Sequence, residues 1–154
     1  DLGSASFKFA NVYADTLNGT AVEALYADLA ERFEADTAYV AGTVVAIGGA
    51  AEVTAVNEEA SETVFGVVST RAAYLMNARA GDNETHPAIA MTGRVPVRVV
   101  GTVLKGQRLI SSNIPGVARA AQDGEATGLN TLGKALEDKY SMEEATVLAV
   151  VKIN

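Results

Sequence analysis

From Thr43 to the end, the chain alternates short apolar runs with glycine turns, and this pattern constrains the fold more than any other feature. The runs are rich in valine and isoleucine, which is typical of β-strands. We predict nine strands, at residues 43–47, 52–56, 63–69, 88–92, 95–101, 108–111, 116–121, 133–137 and 146–153. Many short strands at this spacing favour a mainly β fold, an antiparallel β-barrel or sandwich. We predict that the run at residues 95–101 is an edge strand, because it contains Pro96 and proline cannot donate a ladder hydrogen bond.

One amphipathic N-terminal helix is predicted ahead of these strands, from residue 20 to residue 36. Thr20 and Glu23 match the S/T-x-x-E pattern of a capping box. The apolar residues recur at steps of three and four, which would place them in one stripe on a helix. These residues are Val22, Leu25, Leu29 and Phe33.

Residues 1–19 carry a small set of large apolar side chains, Phe7, Phe9, Val12 and Tyr13. We predict one or two short N-terminal strands that end at the turn signal of residues 18–19. Four large side chains are too few to build a core, so we expect them to pack against other copies of the chain.

Charge and composition exclude several classes of function. The chain has 19 acidic and 12 basic residues and a formal net charge of −7, which repels nucleic acids and anionic membranes. It has no cysteine, so it forms no disulfide, thiol nucleophile or thiolate metal site. No apolar run reaches the ~18–20 residues that a membrane-spanning helix needs, so we expect no membrane insertion. The chain begins at Asp1 and not at methionine, so we expect it to be part of a longer polypeptide.

The residues that commonly carry chemistry give weak signals here. His86 is the only histidine and cannot build a histidine-rich metal site, so we expect no metal and no cofactor. The run GLNTLGKA at residues 128–135 matches G-x-x-x-x-G-K, but Ala135 stands where a phosphate-binding loop needs serine or threonine. We interpret that match as chance. The cluster AAYLMN at residues 72–77 is more typical of a core or a subunit interface than of a ligand pocket.

Asp28 and Glu31 form the one pair of carboxylates that calls for a choice between two interpretations. On a helix, residues three apart lie on nearly the same side, and Asp28 would also pair with Arg32 four residues later. The structural interpretation is a solvated helix face. The functional one requires close approach, which raises the pKa of one carboxyl group so that it acts as an acid.

Several motifs, taken in order, resemble the C-terminal domain of phage tail fibres and tailspikes. The opening LGSASFKFANVYADTLNGTA is similar to the segment that joins a fibre shaft to that domain. The motifs GTVVAIGG, VFGVVSTRAAYLMN, MTGRVPVRVVG, KGQRLISSNIPGVARAA and TVLAVVKI then resemble the domain itself. The resemblance covers nearly the whole chain. It implies a shaft-junction segment at residues 1–19, a linking amphipathic helix at 20–36 and a β-rich C-terminal domain at 37–154.

The resemblance extends to the intramolecular chaperone, autoproteolytic domains of phage tailspikes and neck appendages. Members of that family carry a D-x-A-E motif, which corresponds here to residues 28–31. By resemblance, Asp28 and Glu31 would be the carboxylates of a self-cleavage reaction at the Ala27–Asp28 bond.

Three functions follow as hypotheses. The first is a homotrimerising and folding domain of a virion fibre, with a trimer interface at Phe7, Phe9, Val12, Tyr13, Val22, Leu25 and Leu29. The second is a peptidase that cleaves itself once, in cis. The third is a fibre tip that binds a host-surface receptor, with loop 77–87 as the candidate. The expected partners are two sister copies, the fibre shaft and a host receptor, and the expected location is the virion after synthesis in the host cytoplasm.

Overall fold

The computed structural model describes residues 3–16 and 27–152, and in these ranges the chain is all β. No helix in these ranges is long and apolar enough to cross a membrane. The described strands are β1 (Asp28–Arg32), β2 (Val44–Ile47), β3 (Val53–Ala55), β4 (Val64–Val68), β5 (Tyr74–Met76), β6 (Ala88–Val99), β7 (Arg108–Ser111), β8 (Ala118–Ala120), β9 (Gly133–Ala135) and β10 (Ala145–Val151).

Five of these strands close into a barrel, in the order β6-β10-β9-β7-β8 and back to β6. The β6–β10 pair is antiparallel over seven residue pairs, and the ring closes where Val99 of β6 pairs in parallel with Ala118 of β8. Alternate residues of each strand point inward, because side chains in a strand alternate between its two faces. The inward residues are buried and mostly valine, among them Val95, Val97, Val99, Leu109, Val147, Ala149 and Val151.

A second group of strands extends from the N-terminal half of β6. This half pairs with β1 and with β4, and the sheet continues from β4 to β2 and β3. One face of the extension adds to the barrel core, and the other carries a smaller core of Val45, Val53, Val68 and Ile89. Phe33 and Phe65 pack against this smaller core, edge to face, with ring centres 5.3 Å apart.

Each of the nine predicted strand runs contains or overlaps a described strand. Residues 88–92 and 95–101 belong mostly to one long strand, β6, and the strands β1 and β5 were not predicted. β6 is paired on both sides over its length, but at Pro96 itself the described ladders give one partner, Leu148 of β10, so the predicted edge is local to this part of the strand. Pro96 fits there because its partner Leu148 directs its own N–H and carbonyl toward Glu137 and Leu136, away from Pro96.

The predicted helix at residues 20–36 is wrong for the described part, because Asp28–Arg32 is strand β1. Both edges of this strand are occupied, by β5 in parallel and by β6 in antiparallel pairing, so its backbone hydrogen bonds lie between strands. Pairing on both edges outweighs the helical spacing of apolar residues. Two members of the predicted stripe, Val22 and Leu25, lie outside the described residues.

The predicted N-terminal strand is also wrong for residues 3–16, which contain bends and no strand. Backbone hydrogen bonds within this segment link Ser4 and Phe7, and no described strand of the same copy pairs with it. A strand needs a partner for its N–H and carbonyl groups, and within one copy the described residues supply none here. The turn expected at residues 18–19 lies outside the described residues. The homotrimer stays a prediction.

Candidate functional site

Asp28 is a buried carboxylate at the start of β1. Its residue surface is 4% exposed, and its Oδ2 accepts a hydrogen bond from Ser69 Oγ at 2.5 Å. Ser69 directly follows β4, and its N–H donates to the carbonyl of Ala88 at the start of β6. Buried carboxylates require hydrogen-bond donors, and Ser69 supplies one.

The Ala27–Asp28 peptide bond is held tightly against β6. The Ala27 carbonyl accepts a hydrogen bond from the Arg94 N–H at 3.1 Å, and the Asp28 carbonyl accepts one from the Ala73 N–H at 2.8 Å. Gly93 makes this approach possible, because a Cβ atom there would lie 2.1 Å from the Ala27 oxygen. The predicted scissile bond therefore has a fixed orientation, with a backbone donor on its carbonyl.

Glu31 lies on the other face of β1 from Asp28. Residues three apart in a strand point to opposite faces, and the burial along β1 alternates accordingly, with Asp28 and Ala30 buried and Glu31 half-buried. Within one copy, the structure does not bring the two predicted carboxylates together. Their role in self-cleavage stays a prediction.

Loop 77–87 is ordered by its own polar groups. Asp82 Oδ1 accepts hydrogen bonds from the Glu84 N–H, the Thr85 N–H and the Thr85 hydroxyl, each at 3.0 Å. The bonds from Thr85, first its N–H and then its hydroxyl, hold the pKa of Asp82 below its usual value. His86 Nδ1 shares a 3.1 Å hydrogen bond with Thr85 Oγ1. The described residues contain no cluster of three or more potential metal ligands.

The predicted interface residues of the N-terminal segment are exposed in one copy. The exposed fractions are 80% for Phe7, 58% for Phe9, 67% for Val12 and 90% for Tyr13. Leu29 is half-buried in β1, between β5 and β6. Val22 and Leu25 lie outside the described residues. The predicted interface therefore includes an apolar segment that one copy leaves uncovered.

Sequence reasoning missed a basic cavity on the outside of the barrel. The cavity has a volume of about 430 Å³, and its lining includes Arg108, Lys134 and Lys152. Gly128 and Lys134 of the GLNTLGKA run also line it, although that run leads into strand β9 and not into a helix. The only signal in the sequence is one basic residue in each of three predicted strand runs, Arg108, Lys134 and Lys152.

Comparison with known proteins finds a similarity in structure and none in sequence families. The chain matches no protein-family model, and no curated protein matches it. It is similar in structure to the pre-mature gene product 12 of bacteriophage phi29, with a TM-score of 0.62 and 15% sequence identity. The match covers 90% of this chain and 23% of that chain. At this identity the similarity shows a shared fold: the chain folds like a part of a phage protein about four times longer.

Proposed function

We propose that this chain is the trimerising and folding domain at the C-terminal end of a phage tail fibre or tailspike. The observation that carries the proposal is the uncovered apolar segment at residues 3–16, which stands ahead of a compact β domain. The shared fold with part of a bacteriophage protein supports a virion origin. The order of motifs along the chain supports the same interpretation.

The apolar segment gives three copies a reason to associate. Burying a phenylalanine, valine or similar side chain is worth about 1.5–3 kcal/mol. Phe7, Val12 and Tyr13 are each at least two-thirds exposed, so one copy leaves most of that free energy unrealised. Soluble monomers rarely expose large contiguous apolar surface, and surfaces of this kind commonly mark an interface.

Association of this domain would solve a folding problem for a fibre. A shaft of three intertwined chains depends on long-range pairing, and its partly folded forms expose strand edges that aggregate. A globular domain that trimerises first would hold the three chains together and raise their effective concentration. Residues 3–16 lie at the N-terminal end of the chain, where such a shaft would join.

The test compares two variants by sedimentation velocity at the same micromolar concentration. The first replaces Phe7, Phe9 and Tyr13 with serine. The control replaces Tyr140 and Met142 with serine, because these side chains are 73% and 70% exposed but lie just before β10. We expect the parent and the control to sediment as trimers and the first variant as a monomer with an unchanged far-UV circular dichroism spectrum.

Two results would contradict the proposal. In one, the triple variant remains a trimer, so the segment does not form the interface. In the other, the control dissociates while the triple variant does not, which would place the interface on the surface near Tyr140.

A second candidate function is a single self-cleavage at the Ala27–Asp28 bond. The fixed peptide carbonyl and the adjacent buried Asp28 carboxylate favour it. The purified chain would be incubated and its mass followed for a fragment that begins at Asp28. We expect this fragment from the parent and from the control Glu34→Gln, and none from Asp28→Asn. Absence of the fragment from the parent in every buffer would exclude cleavage at this bond.

A further inference from the structure

Basic residues of three strands, and one just after a fourth, lie close together on the outer face of the barrel. Arg108 of β7 lies directly opposite Lys134 of β9, and Lys134 lies opposite Val150 of β10. Val150 in turn lies opposite Arg94 of β6. Lys152 stands two residues beyond Val150 and so follows it on the same face. We call these residues, Arg94, Arg108, Lys134, Val150 and Lys152, the basic row.

The basic row lacks the acidic partners that its charges would favour. Like charges directly opposite each other in a sheet are destabilising, and Arg108 and Lys134 form such a pair. The ion pairs among the described residues involve Arg98 and Arg119, and none involves a cation of the row. The chain has seven more acidic than basic residues, so the absence of a carboxylate at this place is not a shortage of acids.

A loop at residues 125–131 lines one side of the cavity and is held by its own hydrogen bonds. Asn130 is 4% exposed, its amide nitrogen donates to the Glu125 carbonyl at 2.9 Å, and its Oδ1 accepts from the Thr127 N–H at 2.7 Å. The Thr131 hydroxyl donates to the Thr127 carbonyl at 2.5 Å. These hydrogen bonds are internal to the loop, so they hold its conformation without any contribution from a ligand. Its volume of about 430 Å³ is in the range of small-molecule sites.

The acidic residue of this loop is directed away from the cavity. Glu125 accepts two hydrogen bonds from the Arg119 guanidinium, at 2.7 and 2.9 Å, and one from the Gln122 N–H. Glu125 is not among the residues that line the cavity, and the lining contains no carboxylate from the described part of the chain. The charged side chains that line the cavity are therefore all cations, those of Arg108, Lys134 and Lys152.

The hydroxyl of Thr127 offers a further donor. Its Oγ1 accepts hydrogen bonds from the N–H groups of Leu129 and Asn130, at 3.2 and 3.1 Å. A hydroxyl that already accepts two bonds keeps its own proton for donation. Thr127 lines the cavity together with the apolar side chains of Ala126 and Val150.

We propose that this cavity binds a small phosphate ester. The Arg108 guanidinium has the planar fork that holds a phosphate through two hydrogen bonds, and Lys134 and Lys152 supply point charges. The organic part of the ester would lie on Val150 and Ala126. The net charge of −7 repels long polyanions at a distance, so the site suits a small anion and not a nucleic acid. This inference does not depend on trimerisation.

Titration calorimetry of the full chain tests the proposal, with inorganic phosphate, glucose 6-phosphate and glucose as probes. All titrations use the same ionic strength, because salt screens exposed charges. We expect saturable binding of glucose 6-phosphate and none of glucose. Lys134→Gln and Arg108→Gln should each weaken binding about tenfold, the loss expected for one charge-assisted contact. The control Arg79→Gln removes a positive charge from loop 77–87, outside the cavity lining, and should leave the dissociation constant within about twofold.

The outcomes separate the sources of the anion. Tighter binding of glucose 6-phosphate than of inorganic phosphate supports an ester whose organic part contacts Val150. Equal binding also supports the site and identifies the oxyanion alone as the recognised group. The proposal is overturned if neither phosphate saturates by about 10 mM, the weak end of useful affinities. It is also overturned if the two cavity variants bind as the parent does.

Discussion

Replacing Gly93 with alanine tests how tightly the start of β1 is held against the long central strand. Gly93 has a φ of +108°, a conformation that residues with a Cβ atom rarely adopt. A Cβ atom there would lie 2.1 Å from the Ala27 carbonyl oxygen and 2.8 Å from Asp28 Cα. Both contacts are with backbone, which cannot rotate away as a flexible side chain would.

The expected loss of stability has two parts, and two other glycines isolate them. A left-handed φ costs a residue with a Cβ atom about 1–2 kcal/mol, and forced overpacking costs about 1–3 kcal/mol. Gly101 has a φ of +73°, and a Cβ atom there would meet no described atom within 4 Å. Gly101→Ala should therefore show only the conformational cost of the left-handed φ. Gly133 has no positive φ, but a Cβ atom there would lie 2.2 Å from the Val150 oxygen. Gly133→Ala should therefore show only the cost of overpacking. We expect Gly93→Ala to cost about 2–5 kcal/mol, the two parts together.

Urea denaturation followed by circular dichroism measures these differences, with all proteins at one concentration because association shifts apparent stability. The expected order of free energies of unfolding places Gly93→Ala lowest, with Gly101→Ala and Gly133→Ala between it and the parent. A cost for Gly93→Ala no greater than that for Gly101→Ala would refute this prediction, because the close approach of residues 27–28 to β6 would then be absent in solution.

Three further predictions concern single side chains. Lys134→Gln removes the like-charge pair with Arg108, so it should raise the free energy of unfolding in phosphate-free buffer by about 0.2–1 kcal/mol. A fall in the thermal midpoint would contradict this. Ser69→Ala removes a hydrogen-bond donor from the buried Asp28 carboxylate, so it should lower the free energy of unfolding by about 1–3 kcal/mol. An unchanged urea midpoint would show that another donor replaces Ser69. The Arg119 hydrogen bonds lower the pKa of Glu125 from 4.5 to about 2, so its stabilisation of loop 122–131 is complete above pH 4.5 and is lost as pH falls toward 2. Amide signals of that loop in NMR spectra should therefore shift mainly below pH 3 in the parent, and Glu125→Gln should abolish this transition.

The β-rich part of the fold was predictable because its signals are local. Valine-rich runs between glycine turns specify short strands wherever they pack, and each predicted run contains or overlaps a described strand. The closure of the ring was not predictable, since it depends on the pairing of Val99 with Ala118 across a long separation in sequence. The sequence therefore indicated the elements of the barrel and not their order.

The region around Asp28 shows why the rest could not be predicted. The steps of three, four and four that join Val22, Leu25, Leu29 and Phe33 fit a helix, yet residues 28–32 form a strand. What decides between the two is the pairing of this segment with β5 and β6, which no window of the sequence contains. The same error placed Asp28 and Glu31 on one side, because a spacing of three unites residues on a helix and separates them in a strand.

The basic cavity could not be predicted from the sequence, for a related reason. Its three cations come from three different strand runs, at positions 108, 134 and 152, and each alone is typical of a solvated surface. Cross-strand register brings Arg108 and Lys134 together, and register is set by the fold as a whole. The loop at residues 125–131 then covers one side of the cavity.

The most direct test of trimerisation is the molar mass of the intact chain in solution. Light scattering coupled to size-exclusion chromatography at micromolar concentration measures it without variants or ligands. With a chain mass of 15.9 kDa, we predict a species of three copies, about 48 kDa, that covers the apolar segment at residues 3–16. A single species of one chain mass at all concentrations would contradict it.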